Sequence, residues 1–256
     1  MSTASTLGTE GVALIVGAGP GISASCARLF AESGFAVALA ARNPSKPELK
    51  ALEASHGTRT FGCNAASADD VATLFRDVEA QLGRPVLVVH NIDGRIAEVF
   101  QKPVNTVSPD AVWATLHNAA YSAFLVGQLA AQAMLENAPG PNGGKGTYII
   151  TNASAALKGF PKGAAFAMAC QAKAGLAESM ARELGPQGIH IVNVPIDCAI
   201  GRLQDNGTRA HWLAGETVDD NMADPDRIAE VYLQLHRQHR STWTNEVVLR
   251  PWTEKW

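Results

Sequence analysis

Short apolar runs recur along the chain at VALIVG (12–17), FAVALA (35–40), TRTFGC (58–63), PVLVVH (85–90), GTYIIT (146–151), IHIVNV (189–194) and EVVLR (246–250). Their length and the turn residues around most of them predict strands buried on both faces. Between them, periodic segments at roughly 21–33, 67–82, 109–136, 163–185 and 224–239 are long enough to be crossover helices. This alternation predicts an α/β fold of Rossmann type, a doubly wound parallel sheet of about seven strands with helices on both faces. A chain of 256 residues suits one domain spanning 1–256. The Gly/Pro-rich stretch NAPGPNGGKG (137–146) reads as a surface loop between a long helix and the fifth strand.

Composition narrows the partners. Hydrophobic residues make up 46% of the chain and charged ones 18%, with a net charge of -3. Such a balance offers no broad field for nucleic acid or an anionic membrane. Cys26, Cys63, Cys170 and Cys198 are scattered, without zinc-site or redox spacing, and read as reduced thiols. No metal site is expected. His236 and His239 read as a polar helix end, since two histidines alone do not complete a metal site. The N-terminal MSTASTLGTEG lacks a basic and apolar leader, and no stretch of about 18 apolar residues follows. A cytoplasmic protein without a membrane anchor is the expectation.

The first chemical signal is IVGAGPGISASCARLF (15–30), a strand that passes through Gly17, Gly19 and Gly21 into a helix opened by Ile22. Glycines allow a tight turn and close approach of a diphosphate, while the helix N-terminus offers free amides and a favourable dipole. A dinucleotide-binding fold normally ends its second strand on a carboxylate that takes the adenosine ribose. Here the sequence is AARN: Ala41 leaves no acid to repel a 2′-phosphate, and Arg42 presents a planar fork that pairs with one. NADP, with NADPH as its reduced form, is the expected cofactor, against the alternative of a solvated loop arginine.

On these residues the chain resembles the short-chain dehydrogenase/reductase family over nearly its full length. The family's TGxxxGxG is similar to VGAGPGIS, with Gly17 and Gly21 kept, Val16 for Thr and Ser23 for the last Gly. The resemblance puts Asn64 (in FGCNAAS) at the adenine contact, matches Asn91 of HNIDG to the family's NNAG with Asp93 a departure, and puts Asn118 on the catalytic asparagine. It also implies a Tyr-x-x-x-Lys pair after the fifth strand, with a Ser thirteen residues before the Tyr. Lys173 fits the lysine and would hold the nicotinamide ribose, but the tyrosine position falls on Ala169 and the serine position on Ala156. A Tyr-x6-Lys spacing lands on Phe166, which carries no hydroxyl.

What the resemblance implies for function is an NADP(H)-dependent oxidoreductase acting on a small carbonyl, alcohol or activated double bond. Lys173 and Asn118 would be catalytic, with Ser154, two residues before Ala156, as a candidate hydroxyl and water or the substrate as the proton source. The alternatives are an NADP-binding protein without redox turnover, or a lyase or isomerase on the same fold. A small-molecule substrate is expected, but its identity is not legible. Residues 200–222 fall where relatives carry a substrate lid, with Trp212 and Leu213 as apolar cover. Trp243, Trp252 and Trp256 are expected to form an aromatic cluster closing a subunit contact or core edge. The alanine-rich helices at 109–136 and 163–185, with Tyr121 on the first, resemble the family's subunit-contact pair, so a homodimer or homotetramer is expected.

Overall fold

The computed structural model describes residues 9–211, 214–218 and 220–255. Six strands, β1 (Gly11–Val16), β2 (Phe35–Ala41), β3 (Arg59–Gly62), β4 (Pro85–His90), β5 (Gly146–Ala153) and β6 (Ile189–Ile196), pair in the order β3-β2-β1-β4-β5-β6. Every pairing is parallel. The crossovers are α1 (Ile22–Glu32), α2 (Pro47–His56), α3 (Ala68–Gln81), α4 (Pro109–Leu116), α5 (Ser122–Leu135) and α6 (Ala164–Leu184), with α7 (Pro225–Arg237) near the C-terminus.

The uninterrupted apolar runs are explained by two cores. Along β1, Ala13 and Ile15 pack with Phe30 and Tyr232, while Val12, Leu14 and Val16 pack with Leu74, Val126 and Ala177 on the other face. Successive side chains point to opposite faces, so a strand covered by helices on both sides must be apolar at every position.

The expected seventh strand is present only as a broken ladder. Residues 245–249 run parallel to β6 and bridge it at two separate points, Asn193 to Glu246 and Ile196 to Leu249. The Val247 amide donates to Asn193 O at 3.1 Å and the Leu249 amide to Pro195 O at 2.9 Å, while the Asn193 and Asp197 amides donate back. The bond between these two pairs would need an amide at residue 195, and Pro195 has none. The regular sheet therefore has six strands.

Two further elements differ from the sequence pattern. Helix α2 is unexpected because its apolar stripe is only Leu49 and Leu52, although Pro47 opens it and Gly57, at φ 66°, closes it. The long helix expected at 109–136 is interrupted by a π turn, His117–Tyr121. Gly94 presses on that turn: a Cβ there would lie 2.5 Å from the Ala119 Cβ and 2.7 Å from its backbone. The Ser122 hydroxyl secures it, 2.6 Å from Asn118 O, 3.1 Å from Ala119 O and 2.8 Å from His90 Nε2.

The described residues of 200–222 include no helix. Short strands β7 (Arg202–Leu203), β8 (Arg209–His211) and β9 (Gly215–Thr217) make a small antiparallel sheet. It is anchored by the Gly201 amide on Ala223 O and by an Arg209–Asp224 ion pair. Trp212 and Leu213, expected as apolar cover, lie outside the described residues, as does Trp256. The other two C-terminal tryptophans part company: Trp243 stacks on His190 at 4.9 Å, whereas Trp252 is 86% exposed. His236 is not a solvated helix end. It meets Thr147 Oγ1 at 3.0 Å and the Phe35 ring edge-on, while His239 is exposed. Among the described residues no helix is long and apolar enough to cross a membrane.

Candidate active site

The strand order reverses between β1 and β4, and in open α/β sheets ligands bind in the crevice beyond the strand C-termini at that point. A cleft of about 770 Å³ opens there. Its walls include Gly17 after β1, Arg42, Asn43 and Lys46 after β2, Asn64 after β3, Asn91 to Ile96 after β4, and Asn118 on the π turn. Of the residues singled out in the sequence, Gly17, Arg42, Asn64, Asn91 and Asn118 thus share one cleft. Gly19, Gly21, Ile22, Ser154 and Lys173 are not on its walls; Gly21 instead borders a second groove of about 490 Å³ between α1, α2 and β7–β8.

Glycine is required at the first turn. Gly17 has φ 93°, and a Cβ there would meet Asn91 O at 2.4 Å. A Cβ at Gly19 or Gly21 would have nothing within 4 Å, so the outer face of the turn is open. Helix α1 begins without a side-chain cap and without an acid in its first turn. Its first amides are therefore left for an anion. Ser23, in place of a third glycine, is buried and bridges the turn: its hydroxyl donates to Gly17 O at 3.1 Å and accepts from Asn91 Nδ2 at 2.7 Å.

Arg42 is exposed and makes no ion pair among the described residues. Ala41 is buried beside it, and Lys46, at the start of α2, adds a second cation to the same wall. The residues missed in the sequence here, Asn43 and Lys46, had a signal in the basic run RNPSK. Asn64 is turned partly to its own loop, its side chain accepting from the Ala66 amide at 3.3 Å.

Lys173 is 2% exposed, on the inner face of α6. Its ammonium donates to Thr151 O at 3.0 Å and Ile92 O at 3.3 Å, one residue layer behind the cleft. Burial lowers its pKa, with Cys170 and Asp93 opposing that shift. Ala169, one turn earlier, is fully buried, and Ala156 O accepts from Gln171 Nε2 at 2.6 Å. Ser154 starts a short 3-10 turn, Ser154–Ala156, and its carbonyl accepts from the Leu157 and Lys158 amides. His90, behind Asn91, is fully buried, with no partner for Nδ1 among the described residues, and burial followed by the nearby Lys173 charge pushes its pKa down to about 3.

Two ion-paired carboxylates were not assigned a role in the sequence, Asp93 on the cleft wall and Asp197 outside the residues that line it. Asp93 holds Arg95 through both carboxylate oxygens, and the guanidinium lies 3.9 Å from the Phe166 ring centre and 4.7 Å from that of Phe100. Asp197, beyond β6, is buried between Lys158 at 3.2 Å and Arg250 at 2.8 Å. Burial raises its pKa, but the bonds from Arg250 and Lys158 outweigh this and hold the carboxyl below its ordinary value. All four thiols are pushed up by burial, which makes them poor nucleophiles.

Comparison with known proteins bears on the family and the fold. Residues 17–249 match the family model described as Enoyl-(Acyl carrier protein) reductase. A 3-oxoacyl-(acyl-carrier-protein) reductase of Mus musculus is 24% identical over 180 residues, 70% of this chain and 72% of the relative. A short-chain dehydrogenase from Rhodopseudomonas palustris superposes with a TM-score of 0.74 at 28% identity, covering 94% of this chain and 98% of that one. A metagenomic short-chain oxidoreductase in complex with NADP gives 0.73 at 25% identity, over 94% and 96% of the two chains. The chain belongs to the short-chain dehydrogenase/reductase family of oxidoreductases.

Proposed function

We propose that the protein is an NADP(H)-dependent oxidoreductase that acts on a small carbonyl, alcohol or activated double bond without a tyrosine phenol as acid. The observation that carries the cofactor half is the cleft wall at Arg42: a guanidinium without an ion-pair partner among the described residues, beside Lys46, with Ala41 where a ribose-binding acid would stand. The glycine turn fits the same group, since its inner side admits no Cβ and its outer side is open. Arg42 and Lys46 would hold the 2′-phosphate, the first amides of α1 the diphosphate, and Asn64 and Asn91 the flanking nucleosides. When bound, NADPH supplies the hydride. Asn118 would present its amide to the substrate oxygen, Lys173 would contribute its positive charge from behind Ile92, and that oxygen would take its proton from water. Ser154 remains a candidate hydroxyl beside the substrate.

Titration with NADPH and NADH tests the cofactor assignment. NADPH is expected to bind about tenfold to hundredfold more tightly, with Arg42→Ala erasing most of the difference. Equal affinities in the wild type overturn it. A second reading, cofactor binding without turnover, is supported by the burial of Ala169 and by the tethering of Lys173 to two backbone carbonyls.

The working form in this reading is a homodimer or homotetramer. Trp113, His117, Tyr121 and Phe124 follow one another along α4, the π turn and α5, the last three stacked in sequence and Trp113 tilted against His117, and Met168 on α6 is 51% exposed. A continuous aromatic strip of this kind favours a protein partner over water.

A further inference from the structure

Arg95 is built as more than half of an ion pair. Its Nε donates to Asp93 Oδ1 at 2.7 Å and one terminal nitrogen, Nη2, to Oδ2 at 2.6 Å. A guanidinium carries five N–H donors in a rigid plane. Asp93 takes one edge, which leaves the end-on fork of Nη1 and Nη2 with no protein acceptor among the described residues. The Phe166 and Phe100 rings, within 3.9 and 4.7 Å, hold the plane in place. The turn below is equally fixed, because Gly94, at φ 81°, is pressed against Ala119. Arg95 lines the cleft together with Asn118, and its side chain keeps 26% of its surface. A planar, oriented and unfilled two-donor edge is the complement of a carboxylate.

We propose that Arg95 anchors a carboxylate of the substrate, so that the substrate is a small oxo acid or the corresponding hydroxy acid. The substrate assignment rests on the oxidoreductase reading; the anion site itself does not. Asp93 is the positioning residue, since its clamp on one edge aims the other. Lysine at 95 would keep the charge and lose the fork.

The test has two arms. In the first, oxamate, a carboxylate that is not reduced, is titrated calorimetrically into the wild type, Arg95→Lys and Arg95→Ala, each with and without NADP. Oxamate binding is expected to weaken about tenfold to hundredfold in both variants, with NADPH titration reporting that each variant is folded. In the second, 2-oxo and 3-oxo acids are each compared with their methyl esters as substrates of the wild type. The acids are expected to be preferred at least about tenfold, through KM, and Arg95→Lys is expected to bring the ratio near one. Equal use of acid and ester by the wild type, or undiminished oxamate binding in Arg95→Lys, overturns the proposal. Oxamate binding that depends on Arg95 in a protein that reduces neither series supports the anion site and counts against the oxidoreductase reading.

Discussion

Lys173 donates its ammonium to the carbonyl oxygen of Thr151 at 3.0 Å, so the one cation on the inner face of α6 is held by the C-terminal end of β5 rather than by a side chain. The bond ties the helix to the sheet behind the cleft. Lys173→Met leaves the Thr151 and Ile92 carbonyls without their donor, and an unsatisfied buried acceptor costs about 1–3 kcal/mol. Chemical denaturation is expected to show a loss of that size, together with weaker NADPH binding. An unchanged unfolding midpoint would show that the ammonium contributes nothing to the fold.

The absent phenol can be put back. Ala169→Tyr with Ala156→Ser places a hydroxyl pair ahead of Lys173 and is expected to raise reduction of neutral carbonyls by ~10²-fold or more, the usual contribution of a positioned acid. Because Ala169 is fully buried, the same change is expected to destabilise by ~1–3 kcal/mol through overpacking. A folded double variant that binds NADPH and gains no carbonyl reduction would show that the site is not arranged for that chemistry.

Acid should destabilise the protein before its carboxylates titrate. His90 has a folded pKa of about 3 against an ordinary 6.5, and His236 one of about 4. A group depressed in this way stabilises above its unfolded pKa, and that contribution is lost as the pH falls from there toward the folded value. Each such histidine removes ~1.4 kcal/mol per pH unit in that window. Denaturation series between about pH 7 and pH 5 are expected to show a falling stability whose slope is reduced in His90→Asn. A flat profile, or an unchanged slope in the variant, contradicts this.

The aromatic strip gives a test of assembly. Light scattering at micromolar concentration is expected to report a dimer or larger species, and Tyr121→Glu with Phe124→Glu to shift it to monomer, because like charges would be buried on a face that is otherwise apolar. A wild-type monomer would contradict the assembly.

The fold was legible because sheet burial on two faces writes itself as continuous apolar runs. Where the prediction missed, local physics intervened. Pro195 divides the last ladder, Gly94 and Ser122 open a π turn at Asn118, and α2 needs only Leu49 and Leu52 to pack. On the site, Gly17 and Arg42 fall on the cleft walls, whereas Gly19, Gly21 and Ile22 do not. The Asp93–Arg95 clamp did not show, since an Asp-x-Arg sequence is common on surfaces and only the phenyl groups of Phe100, five residues on, and of the distant Phe166 on α6 make it rigid. Lys46 was missed although the basic run RNPSK carries it, because α2, whose N-cap it is, has so short an apolar stripe.

Hydride transfer itself is the most direct measurement. The wild-type protein, incubated with NADPH deuterated on each face of C4 in turn and with a panel of carbonyls, oxo acids and activated alkenes, is expected to deliver deuterium from one face only into a reduced product detected by mass spectrometry. Tight NADPH binding with no deuterium in any product would contradict the oxidoreductase reading and leave a protein that holds the cofactor without using it.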